Sequence, residues 1–310
     1  MLPNNLKINS TVKIVEVGPR DGLQNETQII QTQDKIHLIE MLAQTGLKNI
    51  EATSFVRPEK IPQMADAATL CKLLNNKIDK NISLSCLVPN QKGLDLALEA
   101  GVREVAIFSA TSETFNKKNI NATIDESLDR IRPVAIAAMK NGIKVRGYIS
   151  TVFGCPYEGQ TSLEILKKVA NRLFDFGVYE ISFGDTIGVA NPLQVKKIIS
   201  ELKNHFDLAQ MAMHFHDTRG LAVANVFSSF QEGISIFDSS VGGLGGCPYA
   251  IGASGNVATE DLVYLFDSMH IHTGIDMAKL MQASQFILQK LGRSSPSKFH
   301  HAYVANQARN

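Results

Sequence analysis

The sequence predicts a (β/α)8 barrel, and three observations carry that prediction. Short apolar or β-branched runs alternate with longer amphipathic segments, the pattern of repeated β-α units on a parallel sheet. Eight such pairs can be counted, over about 260 residues, which is the usual size of this barrel. Several helical stretches end on the glycine that stops a helix, at Gly46, Gly101, Gly142 and Gly177. A doubly wound open sheet is the competing architecture, but no GxGxxG follows the first strand, as a dinucleotide fold requires.

In chain order, strands are expected at residues 11–17, 47–53, 82–88, 102–108, 143–151, 178–183, 211–216 and 235–241, where Val, Ile, Phe and Thr concentrate. Helices fill the gaps, for example over 34–44 and 124–140. No low-complexity segment or Pro/Gly/Ser linker divides the chain, so one domain is expected, with the barrel at 11–270 and a C-terminal segment at 271–310. That segment reads as an additional helix around KLMQASQFILQKLG followed by a polar, poorly ordered end. It is equally suited to an oligomer interface.

At 310 residues and 44% hydrophobic content, the chain can bury a substantial core. Its 31 basic and 30 acidic residues leave a net charge of +1, and no long Lys/Arg run appears. That balance argues against nucleic acid or an anionic membrane as partner and for a small molecule. Cys71, Cys86, Cys155 and Cys247 form no CxxC and have no histidines at zinc-finger spacing, so they read as free thiols in a reducing compartment. The opening MLPNNLKINST has neither a signal peptide's apolar core nor an Arg-rich amphipathic presequence. The uncharged run 239–259 is long enough for a membrane span, but six glycines and a proline make it a loop.

In such a barrel the active site sits at the C-terminal ends of the strands. Strand seven ends in Met213-His214-Phe215-His216-Asp217, and alternation along a strand points both histidines one way and Phe215 the other. Two neutral imidazoles so placed suit one divalent ion. Taken alone, an HxH pair is as readily two hydrogen-bonded histidines on a sheet, so the other ligands decide. Strand one runs into Arg20-Asp21-Gly22, a cation beside a hard oxygen ligand; strand two delivers Glu51 and strand six ends at Asp185. After strand eight comes a glycine-dense loop with one cysteine, Cys247, and then Asn256. Such a loop can cradle phosphate or act as a movable lid that brings Cys247 to a substrate. The bland alternative for Cys247 is a small buried hydrophobe. His270, His272, His300 and His301 lie away from strand ends and are expected at the surface. Asp21, His214, His216 and Asn256 together form an N2O2 donor set that suits Mg2+ or Mn2+ and is also compatible with Zn2+.

The segments EVGPRDGLQNE (16–26), IEATSFV (50–56), GCPYEG (154–159), GDTIGVA (184–190), HFHDTRG (214–220) and GGLGGCPYAIGASGNVATED (242–261) resemble the 3-hydroxy-3-methylglutaryl-CoA lyases. These lyases belong to the metal-dependent barrel superfamily that also holds homocitrate and 2-isopropylmalate synthases. The Arg-Asp turn with Gln24 and the HxHD are shared across that superfamily; the GGLGGCPYA loop selects the lyase. The resemblance implies metal ligation by Asp21, His214, His216 and Asn256, catalytic roles for Arg20 and Cys247 supported by Glu51 and Asp185, and substrate contacts from Arg20 and Gln24. It implies a retro-Claisen cleavage of (S)-3-hydroxy-3-methylglutaryl-CoA to acetoacetate and acetyl-CoA, as in leucine degradation. The implied partner is an acyl-CoA, and the implied assembly is a homodimer or other homo-oligomer. At position 27, where some members carry lysine, this chain has Thr27. The animal members' presequence and C-terminal cysteine find no counterpart here, which points to a bacterial-type cytoplasmic form. The competing readings are an acyl-CoA/2-oxo acid condensing synthase, a metal-dependent hydrolase on the same barrel, and a metal-binding scaffold without chemistry.

Overall fold

Runs rich in β-branched residues become the strands, and amphipathic stretches become the helices that cover them. The computed structural model describes residues 10–246 and 255–309. In it β1 (Lys13–Glu16) leads to α1 (Thr32–Gln44), β2 (Asn49–Ser54) to α2 (Ala67–Leu74), and β3 (Ser83–Leu87) to α3 (Gln91–Glu99). Next, β4 (Glu104–Ala110) leads to α4 (Glu113–Ile120) and α5 (Ile124–Lys140), β5 (Lys144–Ser150) to α6 (Leu163–Asp175), and β6 (Glu180–Asp185) to α7 (Pro192–Leu202). Last, β7 (Met211–Phe215) leads to α8 (Ala222–Gln231) and β8 (Ile236–Ser239) to α9 (Thr259–Ser268), with α10 (Met277–Leu291) and α11 (Lys298–Gln307) beyond. The eight strands are parallel and close into a barrel, with β1 paired to β8 from Lys13↔Ile236 to Glu16↔Ser239. The glycines expected to stop helices all hold a left-handed φ, from +73° to +105°.

The two faces of the barrel wall differ. Outward-facing Ile14, Ile50, Ile107, Val145, Phe183, Met213 and Phe237 join helix residues such as Leu38, Leu128 and Leu173 in one large apolar core. Inside, one small apolar cluster, Val15, Val17, Ala212 and Ile236, lies at the β1, β7 and β8 side, and another, Leu87, Ala106 and Tyr148 with Phe108, at the β3, β4 and β5 side. Between the two apolar patches the interior is charged. Arg146, among the largest fully buried side chains, pairs with Glu180 and Asp238, and Lys13 pairs with Glu180. Barrels of this kind usually fill that space with branched hydrocarbons. Buried charges persist only when paired, so this interior is a network.

The C-terminal segment differs from expectation. The end read as poorly ordered forms α11, because Ser297 caps it and ties it to α9: Ser297 Oγ and Phe299 N donate to Asp261 Oδ1 at 2.8 and 2.9 Å. His300, expected at the surface, is consequently buried at 9% exposure against α10, whereas His270, His272 and His301 are exposed as expected. Cys71 on α2 and Cys86 on β3 are distant in sequence, yet their sulfurs lie 3.5 Å apart as free thiols. Among the described residues, no helix is long and apolar enough to cross a membrane.

Candidate metal centre at the barrel mouth

Alternation along β7 puts Phe215 into the wall, where its ring meets Phe153 at 5.5 Å, and turns His214 and His216 to the mouth. Asp21 reaches the same point from a tight π-type turn, Gly18–Gly22, directly after β1. The Nε2 atoms of His214 and His216 lie 4.0 and 3.9 Å from Asp21 Oδ2. One ligand atom from each of the three falls within 4.8 Å of the others. Asn256 completes the ring across an isolated bridge to His216, and its Nδ2 donates to Asp21 Oδ2 at 2.9 Å. Only glycine fits beside it, since a Cβ on Gly255 would sit 2.5 Å from the carbonyl oxygens of both Gly243 and Leu244.

The four ligands read from the sequence are therefore brought together. Asn256 Oδ1 is buried without a hydrogen-bond partner. An orphaned acceptor costs about 1–3 kcal/mol, and a divalent cation held by Asp21, His214, His216 and this oxygen would supply the partner. The donor set fits a hard, oxygen-preferring ion.

The charges around the site are set by burial and neighbours. Burial favours the neutral form of Asp21, but Arg20, His214 and His216 outweigh it and hold the carboxyl at about 2. Burial and the adjacent His214 push His216 down to about 4, which keeps it in the neutral form a metal needs. His214 goes the other way: burial lowers it, yet the hydrogen bond to Asp238 and the charges of Asp21 and Asp238 raise it above its ordinary value. Its Nδ1 lies 3.3 Å from Asp238 Oδ2, and this contact orients the ring so that Nε2 faces the mouth.

Arg20 sits beneath the ligands. Its Nε and Nη2 reach Glu51 Oε2 at 2.8 and 2.7 Å, and its Nη1 reaches Asp21 Oδ1 at 2.5 Å. Burial works against its charge, but Glu51 and Asp21 more than offset this and hold the guanidinium above its ordinary pKa. Burial raises the Glu51 carboxyl above its usual range. Tyr148 Oη donates to the same Glu51 oxygen at 3.0 Å, Arg146 Nη1 donates to Tyr148 at 2.8 Å, and Arg146 Nη2 donates to Asp238 at 2.7 Å. From Asp238 the chain returns to His214, so the charged interior runs from one side of the metal centre to the other.

The remaining predicted site residues stand as follows. Asp185, at the end of β6, accepts from the backbone N–H groups of Val189 and Ala190 at 2.9 and 3.0 Å, and burial raises it to about 6. Its two oxygens thus hold the loop after β6. Gln24 is half-buried just past the π-type turn. Cys247 lies outside the described residues.

Sequence reasoning missed Arg146, Tyr148, Asp238 and Glu16. The first three had a signal: a charge or phenol in the middle of strands read as buried on both faces. Glu16 had the same signal in VEV. It accepts from the N–H groups of Gly18 and Val241 at 2.7 and 2.9 Å and from Thr259 Oγ1 at 2.7 Å, tying β1 to the loop after β8. Burial, only partly opposed by these bonds, raises it from 4.5 to about 7. Between pH 4.5 and about 7 the unfolded chain releases this proton and the folded chain keeps it. Stability therefore falls as pH rises through that window, by about 3 kcal/mol from this group. Glu16→Gln is expected to flatten that slope. Thermal melts at both ends of the window check this, and parallel wild-type and variant slopes would refute it.

The HMGL-like family model matches residues 11–287. The mitochondrial hydroxymethylglutaryl-CoA lyase of Bos taurus is 52% identical over 94% of this chain and 89% of its own length. The crystal structure of the Bacillus subtilis HMG-CoA lyase superposes with a TM-score of 0.92 at 48% identity, covering 96% of this chain and 99% of that one. An Acinetobacter baumannii HMG-CoA lyase, solved with coenzyme A and 3-methylmalate, superposes at 0.89 with 37% identity over 94% and 95% of the two chains. With the match spanning the whole barrel, the chain belongs to the HMGL-like family.

Proposed function

We propose that this protein cleaves (S)-3-hydroxy-3-methylglutaryl-CoA to acetoacetate and acetyl-CoA. The observation that carries this reading is Arg20, a buried cation clamped by Glu51 and Asp21 next to an N2O2 donor set, in a chain about half identical to lyases of that name. The relative that binds coenzyme A supports an acyl-CoA as the substrate. We take the ion to be Mg2+ or Mn2+, held by Asp21, His214, His216 and Asn256. When bound, such an ion lowers the pKa of a coordinated hydroxyl toward neutrality.

The protein's own groups do the rest. Breaking the bond between the carbinol carbon and the CH2 beside the thioester turns the hydroxyl oxygen into the ketone of acetoacetate, the hydroxyl's proton being released to water. The electron pair stays on the other fragment as an acetyl-CoA enolate. Arg20 is suited to stabilise the enolate oxygen, because its three contacts to Glu51 and Asp21 do not exhaust the five N–H donors of a guanidinium. Glu51, itself held by Tyr148, fixes the plane of that fork. We assign the final protonation of the enolate carbon to the Cys247 thiol on the glycine loop.

A direct assay tests this reading. Incubation with 3-hydroxy-3-methylglutaryl-CoA should yield acetoacetate and acetyl-CoA in equal amounts, and acetyl-CoA with 2-oxo acids should release no CoA. The reverse pattern would make the protein a condensing synthase. In the same assay Cys247→Ser should be slowed by about 10²-fold with its ion still bound, whereas undiminished cleavage would take the thiol out of the mechanism.

A further inference from the structure

The C-terminal helices are joined to the metal centre by a buried line of hydrogen bonds that starts at His300 on α11. His300 Nδ1 lies 2.9 Å from Ser284 Oγ on α10, and Ser284 Oγ lies 3.0 Å from Glu260 Oε1 on α9. A carboxylate only accepts, so the serine hydroxyl donates to Glu260 and its oxygen accepts from His300, which must carry a proton on Nδ1. The other oxygen of Glu260 accepts from the backbone N–H of Gly242 at 3.0 Å. Ser295 Oγ holds the Gly242 carbonyl at 3.2 Å. Two residues on, the Leu244 carbonyl accepts from Asn256 N at 3.2 Å and from Asn256 Nδ2 at 3.1 Å. Glu260, Ser284 and Leu244 have no exposed surface, so no water competes for these bonds.

We propose that His300 is a positioning residue for the metal ligand Asn256. Acting through Ser284 and Glu260, it fixes residues 242–244. The Leu244 carbonyl then holds the Asn256 amide by its nitrogen and leaves Oδ1 for the ion. The proposal rests on the metal-centre reading above. Gly242 makes the line sensitive to its far end: its φ is +68°, and a backbone in that region keeps its path only if its N–H and carbonyl are both held. Glu260 and Ser295 hold them, and His300 sets the hydroxyl that fixes Glu260. Groups that orient a metal ligand without touching the ion commonly change its affinity by about 10–100-fold. His300 stands further off than such groups, so the low end applies.

The test is a Mn2+ titration of the chelated full-length protein, with free Mn2+ read by electron paramagnetic resonance. His300→Ala should raise the Mn2+ Kd by about 10-fold. His300→Asn places an amide N–H where Nδ1–H stood and should recover most of the affinity, which a merely space-filling role would not allow. Ser284→Ala removes the relay from a buried site with little change of volume, and should match His300→Ala; it decides the question if His300→Ala does not fold. Wild-type affinity in Ser284→Ala, or an asparagine variant as weak as alanine, would overturn the proposal. Wild-type protein that binds no Mn2+ would instead overturn the metal centre itself, and His300's role with it.

Discussion

Stripped of divalent ions by chelation, the protein is expected to lose turnover by about 10³–10⁴-fold, the several kcal/mol that a metal supplies to charge development, and to regain it with Mg2+ or Mn2+. The reason lies in the side chains left behind. Asp21, held at about 2, and His216, held at about 4, are far too weak as bases to take the proton of a tertiary hydroxyl. The nearby carboxylates are engaged, Glu51 through Oε2 with Arg20 and Asp185 with the loop after β6, and even a raised imidazole such as His214 is a far weaker base than a tertiary alkoxide. The folded structure should survive the treatment, since the buried pairs of Arg146 with Glu180 and Asp238 are formed without the ion and the orphaned Asn256 oxygen costs only about 1–3 kcal/mol. The check is turnover and circular dichroism on the same chelated sample. Full turnover with no ion detectable by elemental analysis would sink the metal-dependent reading.

Arg20→Lys should cost about 10²–10³-fold in turnover, the effect of losing a donor aimed at a developing oxyanion. Charge is kept, so the loss measures geometry. A guanidinium meets Glu51 through Nε and Nη2 while Nη1 meets Asp21, and an ammonium has no planar fork to reach both carboxylates from one place. Lysine's choice of either partner leaves the other buried and underpaired. The diagnostic measurement separates kcat from Mn2+ affinity. A fall in kcat with a small change in Kd places the arginine on the enolate, whereas near wild-type turnover would remove it from that role.

Much of this was legible in the chain, and the physical reasons are specific. Strand alternation alone fixed the directions of His214, Phe215 and His216. The rule that barrel sites sit at strand ends then selected Asp21, Glu51 and Asn256 from other acids and amides. Asp185 was found by the same rule, but its oxygens turn to Val189 and Ala190, a local choice made by the loop's backbone that no spacing reveals. Arg146 and Asp238 stood out as charges inside strands, yet their pairing crosses the barrel from β5 to β8, and sequence order says nothing about who meets whom across an interior. The burial of His300 depends on the Ser297 cap and on Asp261, so it followed only once α11 had formed.

The charged interior also limits how this barrel can change over evolutionary time. Removing one member of a buried ion pair costs about 3–5 kcal/mol, a large share of the 5–15 kcal/mol that keeps a domain folded. On the outer wall an Ile-to-Val step at a site such as Ile107 costs about 0.5–1.5 kcal/mol. Single substitutions can therefore drift through the shell between strands and helices but are blocked at Arg146, Glu180 and Asp238, where viable change must come two or three residues at a time. The layer that aims His214 is the part of the molecule least open to gradual revision, and new specificities in this scaffold would have to arise in the loops above it.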